Sequence, residues 1–369
     1  MRMCDPCRVV IVVRDLKPYG GQRVARDIAG CLADLGCEVT LIATASSPAP
    51  ADDLPFDVRS LAVSSGAALN HWISKARRLR RLLRQLEPDA VVSFMTGSNV
   101  LTLAATRVVG GGWINARVVV TEHNVSQALA RDPNAVLLKF LSRMFYRRAD
   151  ELVVVSDAVG RSYQRLLGAA APPIRRIYNP IDYERIRRLS EQPRPGRHRG
   201  VVEIVMIGAL KRTKRVDLGL LTLAELPDGF SLTIVGDGAL MDRLKEQAKE
   251  LGVDNRTNFV GEDENPYRWL RAADVLLHTS EFEGFGLVLA EAAGLGIPIV
   301  AMRAPGVSEV LDVLGLQPVQ SRDPRRAADA IREAVLRGGR TIEPEALQLP
   351  VVAAQYRALL MPKARSVRP

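Results

Sequence analysis

The chain has 369 residues, 47% of them hydrophobic and 25% charged, a soluble balance with apolar material for more than one core, since single cores stop growing near roughly 250–300 residues. No stretch reaches the roughly 18 uncharged apolar residues of a spanning helix, and the apolar run Val9 to Val13 ends at Arg14 and Asp15, too short for a secretory signal. The chain therefore reads as cytoplasmic. Its net charge of +10 is lopsided: through His198 there are 29 Lys and Arg against 18 Asp and Glu, and beyond it 22 against 23. With 5% aromatic residues and no recognisable nucleic-acid-binding motif, nucleic acid is not the expected partner, and an anionic membrane surface or a phosphorylated acceptor explains the basic half equally well.

Cys4, Cys7, Cys31 and Cys37 all fall in the first forty residues. Their spacing supplies no second close pair for a zinc site, and they read as ordinary thiols in a reducing compartment.

Short Val- and Ile-rich runs alternate with helical patterns, the signature of β-α units around a parallel sheet. In chain order the expected elements are a strand at Arg8–Val13, a helix at Gly20–Leu35, and a strand at Glu38–Ala43. A helix follows in which Trp72, Ala76, Leu79, Leu83 and Leu86 share one stripe, then strands at Ala90–Phe94, Arg117–Thr121 and Glu151–Val155. Around Ser190–Gly200 the pattern breaks into a Pro-, Gly- and Arg-rich stretch suited to a linker. Alternation restarts with strands at Glu203–Ile207, Ser231–Val235, Thr257–Val260, Val275–Leu277 and Pro298–Ala301. The expected organisation is thus two α/β domains, 1–190 and 191–369, with the last helix (351–361) free to pack on the first.

In open parallel sheets ligands bind beyond the carboxyl ends of the strands. Three loops of the second half qualify. Gly208 to Arg215 carries four cations between a strand and a helix, an anion site or a solvated basic loop. Gly236-Asp-Gly238 follows another strand but lacks the third glycine of the dinucleotide fingerprint, so tight packing explains it as well as binding does. In Ser280-Glu-Phe-Glu-Gly-Phe-Gly-Leu-Val-Leu-Ala-Glu, Glu283 and Glu291 bracket seven residues. Gly284 and Gly286 let backbone approach a ligand, and the helix that follows offers free N–H groups to phosphate.

Together with Gly20-Gly-Gln-Arg-Val-Ala, Thr121-Glu-His-Asn, Val155-Ser-Asp-Ala-Val and Tyr178-Asn-Pro-Ile-Asp, these segments resemble family 4 of the retaining glycosyltransferases, whose motif E-x7-E matches Glu283 to Glu291. The resemblance covers almost the whole chain. It implies the α/β GT-B fold, two Rossmann-like domains with parallel sheets facing a central cleft. It implies transfer of a hexose from a nucleotide-diphosphate sugar, with UDP the expected nucleotide, to a sugar, lipid-linked or small-molecule acceptor. It also implies that Glu283 meets the transferred sugar, that the backbone of Gly286, Leu287 and Val288 meets the diphosphate and ribose, and that Glu291 holds the ribose hydroxyls. Lys214 would pair with the diphosphate, Gly21 would lie near the phosphates, and His123 would approach the donor sugar. Where the family has an arginine after the glycine this chain has Ala209; Lys211, Arg212 or Arg215 is expected to compensate. No D-x-D stands out, so neither metal nor cofactor is expected. Two alternatives stay open, a nucleotide-sugar 2-epimerase on the same fold and a non-catalytic sugar-nucleotide-binding protein.

The helix around Trp72–Leu86 also bears Lys75, Arg77, Arg78, Arg80, Arg81 and Arg84. It either lies on anionic lipid, making the protein peripheral to a membrane, or buries its apolar stripe in the core.

Overall fold

The computed structural model describes residues 7–16, 20–45, 54–61, 68–108, 113–126, 135–193 and 200–361. The chain divides into two compact units, Met1–Pro180 with Leu349–Pro369, and Ile181–Gln348.

The first unit runs β1 (Arg8–Val13), α1 (Gly20–Asp34), β2 (Glu38–Ala43), β3 (Asp57–Ser60), α2 (Ala68–Leu86), β4 (Ala90–Phe94), α3 (Thr96–Arg107), β5 (Arg117–Glu122), α4 (Ala135–Phe145), β6 (Glu151–Val154), α5 (Asp157–Leu167) and β7 (Ile174–Arg176). Its seven strands are parallel, in the order β3-β2-β1-β4-β5-β6-β7. The central strands β1, β4 and β5 read as near-continuous apolar runs because helices cover both faces of a parallel sheet.

The second unit runs α6 (Tyr183–Ser190), β8 (Val202–Ile207), α7 (Val216–Ala224), β9 (Phe230–Val235), α8 (Met241–Glu250), β10 (Thr257–Gly261), α9 (Tyr267–Ala272), β11 (Val275–His278), α10 (Leu287–Gly294), β12 (Ile299–Ala301), α11 (Val307–Val313) and α12 (Pro324–Arg337). Its five strands are parallel too, in the order β10-β9-β8-β11-β12. Ile204, Met206, Leu220, Leu232, Ile234 and Leu277 form its core. The chain then returns to the first unit as α13 (Leu349–Leu360), which packs on α1 and buries Tyr356 and Leu360.

In each sheet the winding direction reverses beside the first strand, between β1 and β4 in one and between β8 and β11 in the other. Reversal sends successive crossovers to opposite faces and opens a crevice at the strands' carboxyl ends. Most of the expected site residues follow β1, β8 and β11, and His123 follows β5.

Two expectations need correction. The units part at Pro180/Ile181 rather than at 190/191. The reason is α6, which packs on α9 and α10 of the second unit, its Tyr183 ring set against Gly294, while Asn265 Nδ2 donates to the Leu189 carbonyl at 2.8 Å. Of the expected linker, 194–199 lies outside the described residues. The stripe of α2 faces the core: Ala76, Leu79 and Leu83 are fully buried, and Arg80, expected on a cationic face, is itself buried with its guanidinium donating to the Ala105 carbonyl at 2.9 Å. That stripe is not free to lie on lipid. Short strands β3 and β7 were absent from the expected set, since neither contains an apolar run.

Candidate functional site

In the second unit the loops after β8 and β11 are laced together. Thr279 Oγ1 donates to the carbonyls of Lys214 and Arg215, both at 2.8 Å, and the Glu281 N–H donates to the Thr213 carbonyl at 2.8 Å. A 3-10 turn at Arg212–Lys214 ends in Arg215, left-handed at φ 50°. This turn aims Lys214 at Glu283, and Nζ meets Oε1 at 2.6 Å. Ser280 Oγ donates to the same oxygen at 2.6 Å. His278 Nε2 stands 3.3 Å from it, outside hydrogen-bond geometry. Burial alone would raise the Glu283 carboxyl; the Lys214 ammonium, with His278, outweighs burial and holds it well below the usual carboxylate range. The carboxylate is thus anchored through Oε1 by Lys214 and Ser280.

Gly286 caps α10 at φ 77°, a left-handed conformation in which an L side chain would be strained. It starts the helix so that Leu287 and Val288 form the first turn, all three residues half-buried, with Glu291 buried one turn further on. Burial pushes the nearby Tyr183 hydroxyl above its usual range, and the carboxylates of Glu343 and Glu291 push it further. Gly236, whose added Cβ would strike the Gly208 carbonyl, has a packing role.

Among the cations expected to replace the arginine missing at Ala209, Arg215 is already engaged, by Asp217 at 2.8 Å and Glu281 at 3.5 Å. Lys211 and Arg212 are exposed. The sequence reading missed His278, and also Arg322, whose guanidinium donates to the Ser280 carbonyl at 3.1 Å and to that of Thr279. A histidine ending a strand was a usable signal for the first. Nothing local marked the second, which comes from 42 residues downstream.

The remaining two expected residues lie in the first unit and meet there. An added Cβ on Gly21 would stand 3.2 Å from Met95 Sδ and 3.5 Å from His123 Cγ, so a larger residue here would have to displace the Met95 side chain. His123 follows β5, with its ring 5.4 Å from that of Phe94 and its Nε2 3.2 Å from Thr121 Oγ1. Burial pushes the imidazole down to about 4, against a smaller opposing effect of the Asn179 amide, which lies close to the ring but outside hydrogen-bond geometry. At neutral pH the ring is uncharged, able to donate from one nitrogen and accept at the other. Among the described residues no group of three or more His, Cys, Asp or Glu is placed to hold a metal, and no helix is long and apolar enough to cross a membrane.

Two α/β units, each built on a parallel sheet, are the architecture of the GT-B class of glycosyltransferases, and solved structures agree. Over 96% of this chain and 99% of the other, the fold matches the Anabaena HepE protein crystallised with UDP and glucose, at a TM-score of 0.74 and 19% identity. Sucrose-phosphate synthase from Thermosynechococcus elongatus matches with a TM-score of 0.72 and 18% identity over 96% of this chain and 98% of that one. Residues 18–185 match the family described as Glycosyltransferase Family 4, and residues 190–354 that described as Glycosyl transferases group 1. The chain belongs to this glycosyltransferase family.

Among curated relatives, a Campylobacter jejuni N-acetylgalactosaminyltransferase acting on a diphospho-undecaprenol acceptor is 26% identical over 61% of this chain and 60% of its own length. Glycogen synthase of Mycobacterium tuberculosis is 32% identical over 51% of this chain and 44% of its own length. The chain thus spans about half the length of these relatives.

Proposed function

We propose that the protein is a retaining, metal-independent glycosyltransferase that takes a hexose from a UDP-sugar. The observation that carries this reading is the Lys214–Glu283 pair, 2.6 Å apart beside the first turn of α10. Breaking the anomeric C–O bond leaves an oxocarbenium-like sugar and puts new negative charge on the diphosphate. Lys214 and the N–H groups of Gly286, Leu287 and Val288 stabilise that charge where it develops. Glu283, anchored through Oε1, offers Oε2 to the sugar hydroxyls. Glu291 accepts from the ribose diol, and neutral His123, beside Gly21, hydrogen-bonds the donor sugar. Attack comes from the face the diphosphate leaves, with the departing phosphate oxygen taking the acceptor's proton, so the anomeric configuration is kept. The UDP-bound HepE structure and the sugar transferases among the relatives support the nucleotide and the reaction class.

Calorimetry with UDP tests the site. Glu291→Ala and Lys214→Ala should each weaken binding about tenfold, the loss of one hydrogen-bonded or charged partner. Wild-type affinity in both variants would refute the assignment.

The acceptor in this reading is a sugar or a lipid-linked sugar at an anionic membrane surface. With the α2 stripe buried, support for membrane attachment comes from α4, where Val136 is 84%, Leu137 54% and Phe140 60% exposed beside Lys139 and Arg143. Neither α2 nor α4 contains a carboxylate, and Arg77, Arg78, Arg81 and Arg84 of α2 are exposed. Apolar side chains amid charge of one sign suit the boundary of an anionic bilayer. Co-sedimentation with phosphatidylglycerol vesicles should fall with salt and fall again in Val136→Ser/Phe140→Ser. No binding by the wild type at low salt would exclude the membrane and favour a soluble acceptor.

A further inference from the structure

Beneath His123 lies a buried polar cluster that the reaction just described does not use. Glu122, the last residue of β5, is 1% exposed. Its carboxylate accepts from Thr96 Oγ1 at 3.0 and 3.2 Å, from Asn99 Nδ2 at 3.0 Å and from the Tyr146 hydroxyl. The Tyr163 hydroxyl reaches Thr96 Oγ1 at 3.2 Å, and the rings of Tyr146 and Tyr163 stack 6.0 Å apart at 5°. Among these described partners are phenols, a hydroxyl and an amide, but no cation. A buried carboxylate without a counter-ion is costly, and retaining one calls for a use.

The bonds lead to the proposed sugar pocket by short steps. Asn99 Nδ2 also donates to the Thr121 carbonyl at 2.8 Å, and Ser93 Oγ donates to Asn99 Oδ1 at 2.7 Å. The Met95 N–H donates to that same Thr121 carbonyl at 3.1 Å, while Thr121 Oγ1 touches His123 Nε2 at 3.2 Å. Met95 itself has a positive φ of 73° with ψ 147°, a region few side-chain-bearing residues adopt. For a residue with a side chain this is a strained state that persists only where the surrounding structure imposes it. Here the bonds are those of Thr96 and Asn99 to Glu122, and Met95 is the residue that, with His123, walls Gly21.

We propose that Glu122 is a positioning residue of the donor-sugar pocket: its ionised carboxylate gathers the first turn of α3 and, through Met95, Asn99 and Thr121, sets the His123 ring. The proposal rests on His123 and Gly21 serving the donor. The carboxylate must hold three donors at once to do this. A proton on Glu122 would turn one acceptor position into a donor facing Tyr146, Thr96 or Asn99 and loosen the turn. Burial pushes the Glu122 carboxyl up to about 7, opposed by its hydrogen bonds from Tyr146, Thr96 and Asn99 and by the neighbouring Tyr163 hydroxyl. Among the described residues, the groups that face it and titrate are Tyr146 on the turn after α4, Tyr163 on α5 and the adjoining His123. Both phenols lie well above their usual range, mainly through burial, and His123 is neutral above about 4. Through neutral pH, Glu122 is therefore the member of the cluster that changes charge.

The test is the imidazole spectrum of the full chain labelled with 15N at histidine. The chain has four histidines, and loss of one signal set in His123→Ala assigns the ring. Wild-type His123 should stay in one neutral tautomer and its signals should step once with a midpoint near 7, the ionisation of its neighbour. In Glu122→Gln the step should vanish and the ring nitrogens average towards mixed tautomers. Should that variant fold poorly, Tyr146→Phe serves instead: losing a donor to the ionised form should move the step to higher pH. UDP-glucose at millimolar concentration should shift the His123 signals of the wild type and shift those of Glu122→Gln by less than half as much. A His123 spectrum indifferent to Glu122→Gln, or a step that stays put in Tyr146→Phe, overturns the positioning role. If the step depends on Glu122 as expected but UDP-glucose leaves wild-type His123 untouched, the donor reading of His123 falls, and Glu122 loses its place in that pocket with it.

Discussion

Glu283 and Glu122 are glutamates in comparable settings, both largely removed from water at the carboxyl end of a parallel strand, Glu122 closing β5 and Glu283 in the loop after β11, and they behave in opposite ways. Glu283 keeps 13% of its side chain exposed, has the Lys214 ammonium at 2.6 Å, and is held ionised far below the usual carboxylate range. Glu122 has only neutral donors, and burial lifts it to about 7. At Glu122 the hydrogen bonds do not offset the cost of burying the charge, whereas at Glu283 the Lys214 ammonium does. The second unit thus carries a charge that persists across the physiological range, and the first one that can change within it.

The sharpest way to break this contrast is to remove the cation. Lys214→Ala should lower the unfolding free energy by about 3 kcal/mol, the lower end for a broken buried pair because Lys214 is 28% exposed. Lys214→Ala/Glu283→Gln should recover most of the loss, as neither charge is then left alone. Urea unfolding of the single and double variants reads both, and equal losses would mean that the pair is no more than a surface contact.

Glu122 and His123 offer a comparable effect in the pH dependence of stability. The folded Glu122 carboxyl, at about 7 against an ordinary 4.5, binds a proton the unfolded chain has released, so its contribution falls as pH rises through that window. The folded His123 ring, at about 4 against an ordinary 6.5, refuses a proton the unfolded chain takes up, so its contribution rises with pH over its own window. Each amounts to about 3 kcal/mol at 1.36 kcal/mol per pKa unit, and where the windows overlap the two oppose. Melting temperature against pH should expose a rising slope in Glu122→Gln and a falling one in His123→Ala. Parallel slopes in the two variants would contradict the opposed titrations.

Smaller effects should follow at the cap and from chelation. Gly286→Ala forces an L side chain into φ 77° against Leu289 and should cost about 1–2 kcal/mol in stability, seen as a drop in melting temperature. EDTA should leave turnover of a UDP-sugar donor unchanged. Activity lost to EDTA and restored by manganese or magnesium would move the burden of neutralising the diphosphate from Lys214 to a metal.

The strands that build both sheets were legible because their apolar runs are long and bounded, and their limits agree with the structure within a residue or two. Edge strands β3 and β7 were not, being short and polar. That the loops carrying Lys214 and Glu283 form one site could be anticipated, because each lies just beyond a strand end, where an α/β sheet gathers its ligand-binding groups; that the two side chains pair could not. Glu122 could not, because partners such as Asn99 and Tyr146 stand 23 and 24 residues away and a glutamate ending a strand looks solvent-bound. Helix α2 shows a further limit: a stripe of Ala76, Leu79 and Leu83 has the same period whether it meets lipid or protein, and only the packed fold decides.

Helix α13 carries a last consequence. Its Tyr356 ring stacks 6.5 Å from Phe94, whose other neighbour is His123 at 5.4 Å. The first unit is therefore completed by residues encoded after the whole of the second, which makes Ile181–Gln348 an insertion within its host. Stopping translation before Leu349 would leave the second unit entire and take a wall from the first, so a lesion beyond the second unit would register at His123.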